Sequence, residues 1–376
     1  TKIILCILIL YTFLHWNELG NIQIRLKKIV RGLIVIPLLG FIPAYILHGQ
    51  GLFSSFLGSY VSIGYFLFFF LFLIKAKEQQ IIKVLCILGI CWSIIELIQQ
   101  FTYPTYWFTT RGDEFSSGID IRNGIYRYNV IGREFGLVLL FYCFEKFMKN
   151  KKGKYLFGVL IGLIGIYLSV TRQVIAMSVI CLFAGLFLMK KISFKSLLLI
   201  GVVSLLVYVN ANTLFGEFIE MTEEVDEDYV RFWAYEFYGL TYNKGSILAF
   251  LLGNGSPYPP SGYFREIDNI EQSFGLWRAD IGIVGMYSQY GIIYVGIILW
   301  LFYYVFKQRK YIDTYLLMYV LFMAGTSIML HHFAYKLSIV ITGCFILYLI
   351  EQNINKNKKR LSNQNIHEVQ CNDTDL

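Results

Sequence analysis

The chain has 376 residues, of which 56% are hydrophobic, 18% aromatic and only 15% charged. A soluble domain is nearer a quarter charged, and several apolar runs reach the roughly 20 residues that cross a bilayer, so a soluble globular protein is excluded. The net charge of +8 is a signal of membrane topology and gives no reason to invoke nucleic acid.

In chain order, apolar segments predict helices at about 1–16, 31–48, 52–74, 81–100, 129–148, 155–170, 174–189, 196–211, 281–306, 313–330 and 333–350. The expected fold class is therefore all-α: a polytopic membrane helical bundle of about eleven visible spans. Thr1 already lies inside an apolar run without an initiator Met, which suggests a preceding segment and about one further span. The membrane domain is expected over 1–350, with external loops at about 101–128 and 211–280. From Glu351 the sequence turns polar, and 351–376 is expected to be a disordered cytoplasmic tail.

The polar joints sort by charge. One set is rich in lysine: R-L-K-K-I-V-R (25–31), K-A-K (75–77), K-N-K-K-G-K (149–154), K-K-I-S-F-K (190–195), K-Q-R-K (307–310) and K-N-K-K-R (356–360). These fall on one side if every run crosses once, and the positive-inside rule makes that side cytoplasmic. With adjoining helix ends and tail it holds 22 Lys+Arg against 8 Asp+Glu; the other side holds 10 against 17. Inside, 18 of the 22 basic residues are lysine; outside, 8 of the 10 are arginine. Lysine serves topology as well as arginine does. The arginine preference needs another cause, such as a planar fork that grips phosphate or carboxylate in two places. Pairing with the external acids is the plainer alternative, and Arg265 beside Glu266 fits it.

Arg172 is the only charged residue between Tyr155 and Met189. Split at Thr171–Gln173, that run makes a tight helical hairpin with the arginine at its outer tip. A snorkelling anchor would account for it, but an ionisable group at membrane depth is first a functional candidate. Other charges lean outward too: Glu96, Arg133, Glu134, and Lys336 below His331 and His332.

The two long external segments are rich in aromatics and are expected to fold against the outer face. In the second, E-E-V-D-E-D-Y-V-R-F-W-A-Y-E-F-Y reads as a helix with Arg231, Tyr235 and Tyr238 on one face. L-L-G-N-G-S-P-Y-P-P comes next, more a plain turn than a phosphate cradle. W-R-A-D-I-G-I-V-G-M-Y-S-Q-Y-G then re-enters the membrane with Arg278 and Asp280 at its edge. Seven scattered cysteines show no metal-ligand spacing and no disulfide framework.

Four local patterns, S-V-T-R-Q-V-I-A-M, R-F-W-A-Y-E-F-Y with L-L-G-N-G, D-I-G-I-V-G-M-Y-S-Q-Y-G-I-I, and the order of spans around one large loop, resemble the Wzy and O-antigen ligase superfamily over about 129–306. The resemblance implies an inverting glycosyltransferase of the GT-C type at the outer face of a bacterial cytoplasmic membrane. Its partners would be membrane lipids and undecaprenyl diphosphate-linked oligosaccharides; it admits a chain-length regulator and calls for no cofactor and no metal. It maps diphosphate-binding arginines onto Arg172 and Arg231, and Arg278 and Arg133 join them as candidates. Tyr235 and Trp277 are candidates for stacking on sugars. Asp280, His331 and His332 are candidates for catalytic proton transfer, with Glu236 a weaker one. Ligases carry a histidine shortly before the re-entering helix, and this chain has none between Ala211 and Asp280. That favours a repeat-unit polymerase over a ligase; an oligosaccharide-lipid flippase is the alternative from another class.

Overall fold

The computed structural model describes residues 2–102, 105, 121–122, 125–126, 130–189, 226–334 and 336–372. The expected helix at 196–211, most of the first long segment and the start of the second lie outside them.

Five helical segments are long and apolar enough to cross a membrane: Lys27–His48, Glu78–Thr102, Arg172–Met189, Arg278–Lys307 and Leu337–Arg360. A sixth is reached if Leu52–Gly58 and Tyr60–Leu73, bent by 55°, count as one span. Lys2–Leu14, Arg133–Asn150, Gly153–Leu168 and Thr314–Thr326 complete the packed helices. A two-residue antiparallel pair joins Ile121–Arg122 to Ile125–Tyr126. Gln100 holds it by donating to Tyr126 O (2.8 Å) and accepting from Tyr126 N (3.0 Å).

Several helices are interrupted where their residues require it. The first long span divides at Gly40, between Pro37 and Pro43. Proline removes a backbone donor and crowds the preceding turn. Gly40 also meets Gly255, whose Cα would lie 3.2 Å from a Cβ at position 40. The helix Gly282–Lys307 breaks at Gly291, which has φ +77°. A Cβ there would collide with the backbone of Leu251, so only glycine allows this close approach of the preceding segment.

Four of the lysine-rich joints, 25–31, 75–77, 307–310 and 356–360, meet at one end of the bundle. Arg25 donates to Asn355, Tyr348 OH donates to Ala76 O (2.6 Å), and Asn357 donates to Tyr311 O (2.8 Å). Buried acids cap helices here. Glu351 accepts from Arg25 N (2.9 Å) and Leu26 N (3.0 Å), at the start of Lys27–Leu39. Glu145 accepts from Tyr315 N (2.6 Å) and pairs with Lys149. A carboxylate at a helix N-terminus satisfies orphan N–H groups and complements the helix dipole.

These contacts correct the expected boundary at 351. The last helix runs from Leu337 to Asn372 rather than giving way to a disordered tail. Glu351, Asn353 and Ile354 are buried, and Asn353 accepts from Asp313 N (3.0 Å). Glu351, Asn353, Asn355 and Asn357 are polar because they bond to neighbouring segments.

The joint before that helix differs as well. The expected spans 313–330 and 333–350 leave two residues between them, but helix stops at Thr326 and resumes at Leu337. The intervening carbonyls are used elsewhere: Ile283 N donates to Ser327 O (2.7 Å) and Tyr235 OH donates to Ile328 O (2.6 Å). Helical continuation is replaced by contacts to the opposite segment.

Candidate functional site

At the lysine-poor end, residues 226–280 fold around a second, small core of Ala44, Ala234, Tyr238, Tyr242, Tyr263, Ile267, Leu276 and Ile281. Helix Asp226–Glu236 runs into a π-turn at Phe237–Thr241, closed by Tyr242 N donating to Phe237 O (2.7 Å). The wider turn rotates the residues after Glu236 relative to those before it. Tyr238 therefore points into the core while Arg231 stays exposed, and Tyr238 leaves the face that it was expected to share with Arg231 and Tyr235, which remain neighbours.

L-L-G-N-G is a structural turn. Asn254 N donates to Ser288 O (2.9 Å) and Gly255 N to Gln289 O (2.9 Å). The break at Gly291 leaves those two carbonyls without helical partners, and a broken span must satisfy them from a neighbour. Both amides are thereby used, so they cradle no phosphate. A side-chain network surrounds the turn. His48 Nε2 donates to Asn254 Oδ1 (3.1 Å), and Asn254 Nδ2 donates to Asn243 Oδ1 (2.8 Å). Gln289 Nε2 donates to Ser256 Oγ (2.7 Å), and Gln50 Nε2 to Ser256 O (2.9 Å). The His48 ring stacks on Tyr263 at 4.1 Å.

Arg278 stands beside this network. Its Nε lies 3.4 Å from Glu271 Oε1, and its guanidinium lies 5.8 Å from the Tyr238 ring centre. Nη1 is buried and carries no hydrogen bond, and the Tyr238 hydroxyl is in the same condition. Burial pushes the Tyr238 phenol up, against the opposing pull of Arg278, so it remains a protonated donor. His331 lies within the field of Arg278 and stacks near Tyr290 at 6.3 Å.

A second centre forms around Arg133. Its Nη1 donates to Thr171 Oγ1 at 3.4 Å, the residue before Arg172 in the hairpin turn. His332 feels the charge of Arg133, and its Nε2 lies 2.6 Å from Thr326 Oγ1. Glu96 also lies within the field of Arg133. Arg172 begins its helix and is half-buried.

The histidine pair thus lies in the field of two arginines, His331 in that of Arg278 and His332 in that of Arg133. Burial, then the nearby arginine, lowers both imidazoles to about 3. Both are neutral at physiological pH. Their basicity is far below that of a general base matched to neutral pH, and they suit hydrogen bonding better than proton abstraction.

The remaining candidates are spread more widely. Asp280 and Trp277 are exposed at the start of the re-entering segment. Tyr235 joins its helix to the 327–336 link through Ile328. Glu236 is exposed. Sequence reasoning missed His48, Gln50, Asn243, Glu271 and Gln289. For His48, Gln50 and Gln289 the signal available was their position: polar residues at the edges of spans, beside the glycines of H-G-Q-G and Y-S-Q-Y-G; Asn243 and Glu271 carried no such mark. Among the described residues, no three His, Cys, Asp or Glu side chains gather as metal ligands do. No family model, no curated protein and no solved structure matches this chain.

Proposed function

We propose that this chain is a bacterial surface-polysaccharide polymerase of the Wzy type, with about eleven spans and its lysine-poor end outside the cytoplasmic membrane. It joins undecaprenyl diphosphate-linked repeat units by inverting glycosyl transfer, with lipid diphosphate as the leaving group. The observation that carries the reading is the pair of arginine–histidine centres at one end of an apolar bundle, Arg278 with His331 and Arg133 with His332. Both lie next to segments that resemble the superfamily.

The chemistry fits that arrangement. A sugar hydroxyl attacks the anomeric carbon of a second lipid-linked unit, and diphosphate departs. Diphosphate is already a good leaving group, so the main requirement is to hold and neutralise its charge. Arginines fixed in a water-poor site do that without reorganising. Arg278 has a buried nitrogen available for such a contact. Arg133 and Arg172, on either side of Thr171, supply charge at the hairpin turn. A transporter would place its polar groups near the midplane; here they gather at one end.

A strain lacking this chain should display surface polysaccharide with single repeat units in place of a long ladder. Full-length polymer retained on the lipid carrier would instead identify a ligase. Absence of repeat units from the outer face would identify a flippase. Arg172→Lys should keep the protein in the membrane and shorten the ladder severely, because a point charge does not replace a bidentate fork. Normal chain lengths from that variant would make Arg172 an interface anchor.

A further inference from the structure

Glu96 is an acid that neither topology nor packing explains. It is the only charged residue from Val84 to Phe101. Its side chain is buried, and Oε2 accepts no hydrogen bond. On the same turn of helix, Trp92 Nε1 and Ser93 Oγ also lack partners. Buried polar atoms are nearly always satisfied, so three such atoms within one turn mark a place where hydrogen bonds are to be made by something else. The three buried glutamates among the described residues are Glu96, Glu145 and Glu351. The other two use both carboxylate oxygens on helix ends and basic neighbours. The orphaned oxygen is therefore specific to the lysine-poor end.

Among the described residues, the charge that reaches Glu96 is that of Arg133. Arg133 is tied to the hairpin turn through Thr171 and also reaches His332. Glu96 thus shares an arginine with one of the two centres assigned to diphosphate. Two anions compete for one guanidinium.

We propose that Glu96 is the proton acceptor of the glycosyl transfer, an inference that rests on the polymerase reading. The attacking sugar hydroxyl donates a hydrogen bond to Oε2. As its oxygen bonds to the anomeric carbon, the carbon–oxygen bond to diphosphate breaks and that electron pair leaves on the phosphate oxygen. The hydroxyl proton passes to Oε2. Glu96 returns it to water when the lengthened product moves away. A neutral hydroxyl-bearing ligand is the chemistry this turn accommodates, since a second anion would be repelled by Glu96.

The test uses full-length protein in lipid nanodiscs, with lipid-linked repeat units extracted from the strain lacking this chain. Glu96→Gln preserves shape and removes the base. Chain growth should fall by about 10²- to 10⁴-fold, the usual contribution of a general base. Affinity for undecaprenyl diphosphate, measured on the same sample, should be unchanged or tighter, because the competitor for Arg133 has been neutralised. Glu96→Asp keeps a carboxylate and should recover part of the rate, and Glu96→Ala covers the case in which the glutamine variant does not fold. Growth within about threefold of wild type for Glu96→Gln or Glu96→Ala, against that expected loss, overturns the proposal for the base. So does a loss of diphosphate affinity that parallels the loss of rate, which would make Glu96 only a support for Arg133. Wild-type protein that binds these lipids but never lengthens them would instead refute the polymerase reading itself.

Discussion

Glu351 and Glu96 are equally hidden, at 0% and 1% exposure, and each lies within a helix long enough to cross a membrane. Glu351 accepts from two backbone amides at the start of a neighbouring helix. Glu96 has a field from Arg133 and an oxygen with nothing on it. The two ends of the bundle treat the same side chain differently. At the lysine-rich end acids complete secondary structure; Glu145 does so for Tyr315 as Glu351 does for Leu26. At the other end, hydrogen-bonding capacity is held in reserve on Arg278, Tyr238, Trp92, Ser93 and Glu96. Arg31 Nε and a few hydroxyls at the lysine-rich end, such as those of Tyr304 and Tyr315, are also unpartnered, so the contrast concerns the buried carboxylates above all. Structure consumes both carboxylate oxygens at one end and leaves one over at the other.

The comparison can be broken from either side. The largest effect is expected at Arg278. Arg278→Lys keeps the charge beside Glu271 but removes the fork, and polymerisation should fall by about 10²- to 10³-fold, as when one oriented donor is lost from a transition-state site. The melting temperature in detergent should barely move; a large drop would show Arg278 to be structural, like the acids at the far end. Glu351→Ala should do the reverse. Two buried N–H groups lose their acceptor, at a cost of about 1–3 kcal/mol each, while turnover per folded molecule stays at the wild-type level. Reduced turnover at full stability would erase the distinction between the ends.

The smallest effect concerns acid stability. His331 and His332 have an ordinary value of 6.5 and are lowered to about 3 in the folded chain. Between these values the unfolded chain binds more protons, so stability is full above about 6.5 and falls as pH drops toward about 3. A His331→Gln, His332→Gln double variant should show a shallower fall of melting temperature across that window. Equal slopes would mean that the two rings are solvated rather than buried between the centres.

How far the site was legible depended on the type of residue. Isolated charges in apolar runs stood out: Arg172, Glu96 and Arg133 are conspicuous because a bilayer tolerates so few of them. Arg278 was marked by its place at the re-entering segment. The polar network under it was not, because Asn254 acquires meaning only when the broken helix exposes the Ser288 carbonyl to it, and Gln50, Asn243 and Gln289 only when the turn brings Asn254 and Ser256 to them. Tyr238 was misplaced for a local reason, a π-turn that no periodicity announces. The tail was misjudged because a polar residue that caps a neighbouring helix looks the same in sequence as one in water.

By itself the sequence determined that the chain is helical, apolar enough to cross a membrane several times, and sorted into a lysine-rich and an arginine-rich set of joints. Those properties come from the bilayer's demand for apolar length and satisfied backbone, which is written locally in composition. Only the tertiary structure decided which charges are already satisfied. Glu351 opens a polar stretch and Glu96 stands alone in an apolar one, but neither neighbourhood reveals whether a helix from far along the chain, 326 residues away for Glu351, presents its free amides to the carboxylate.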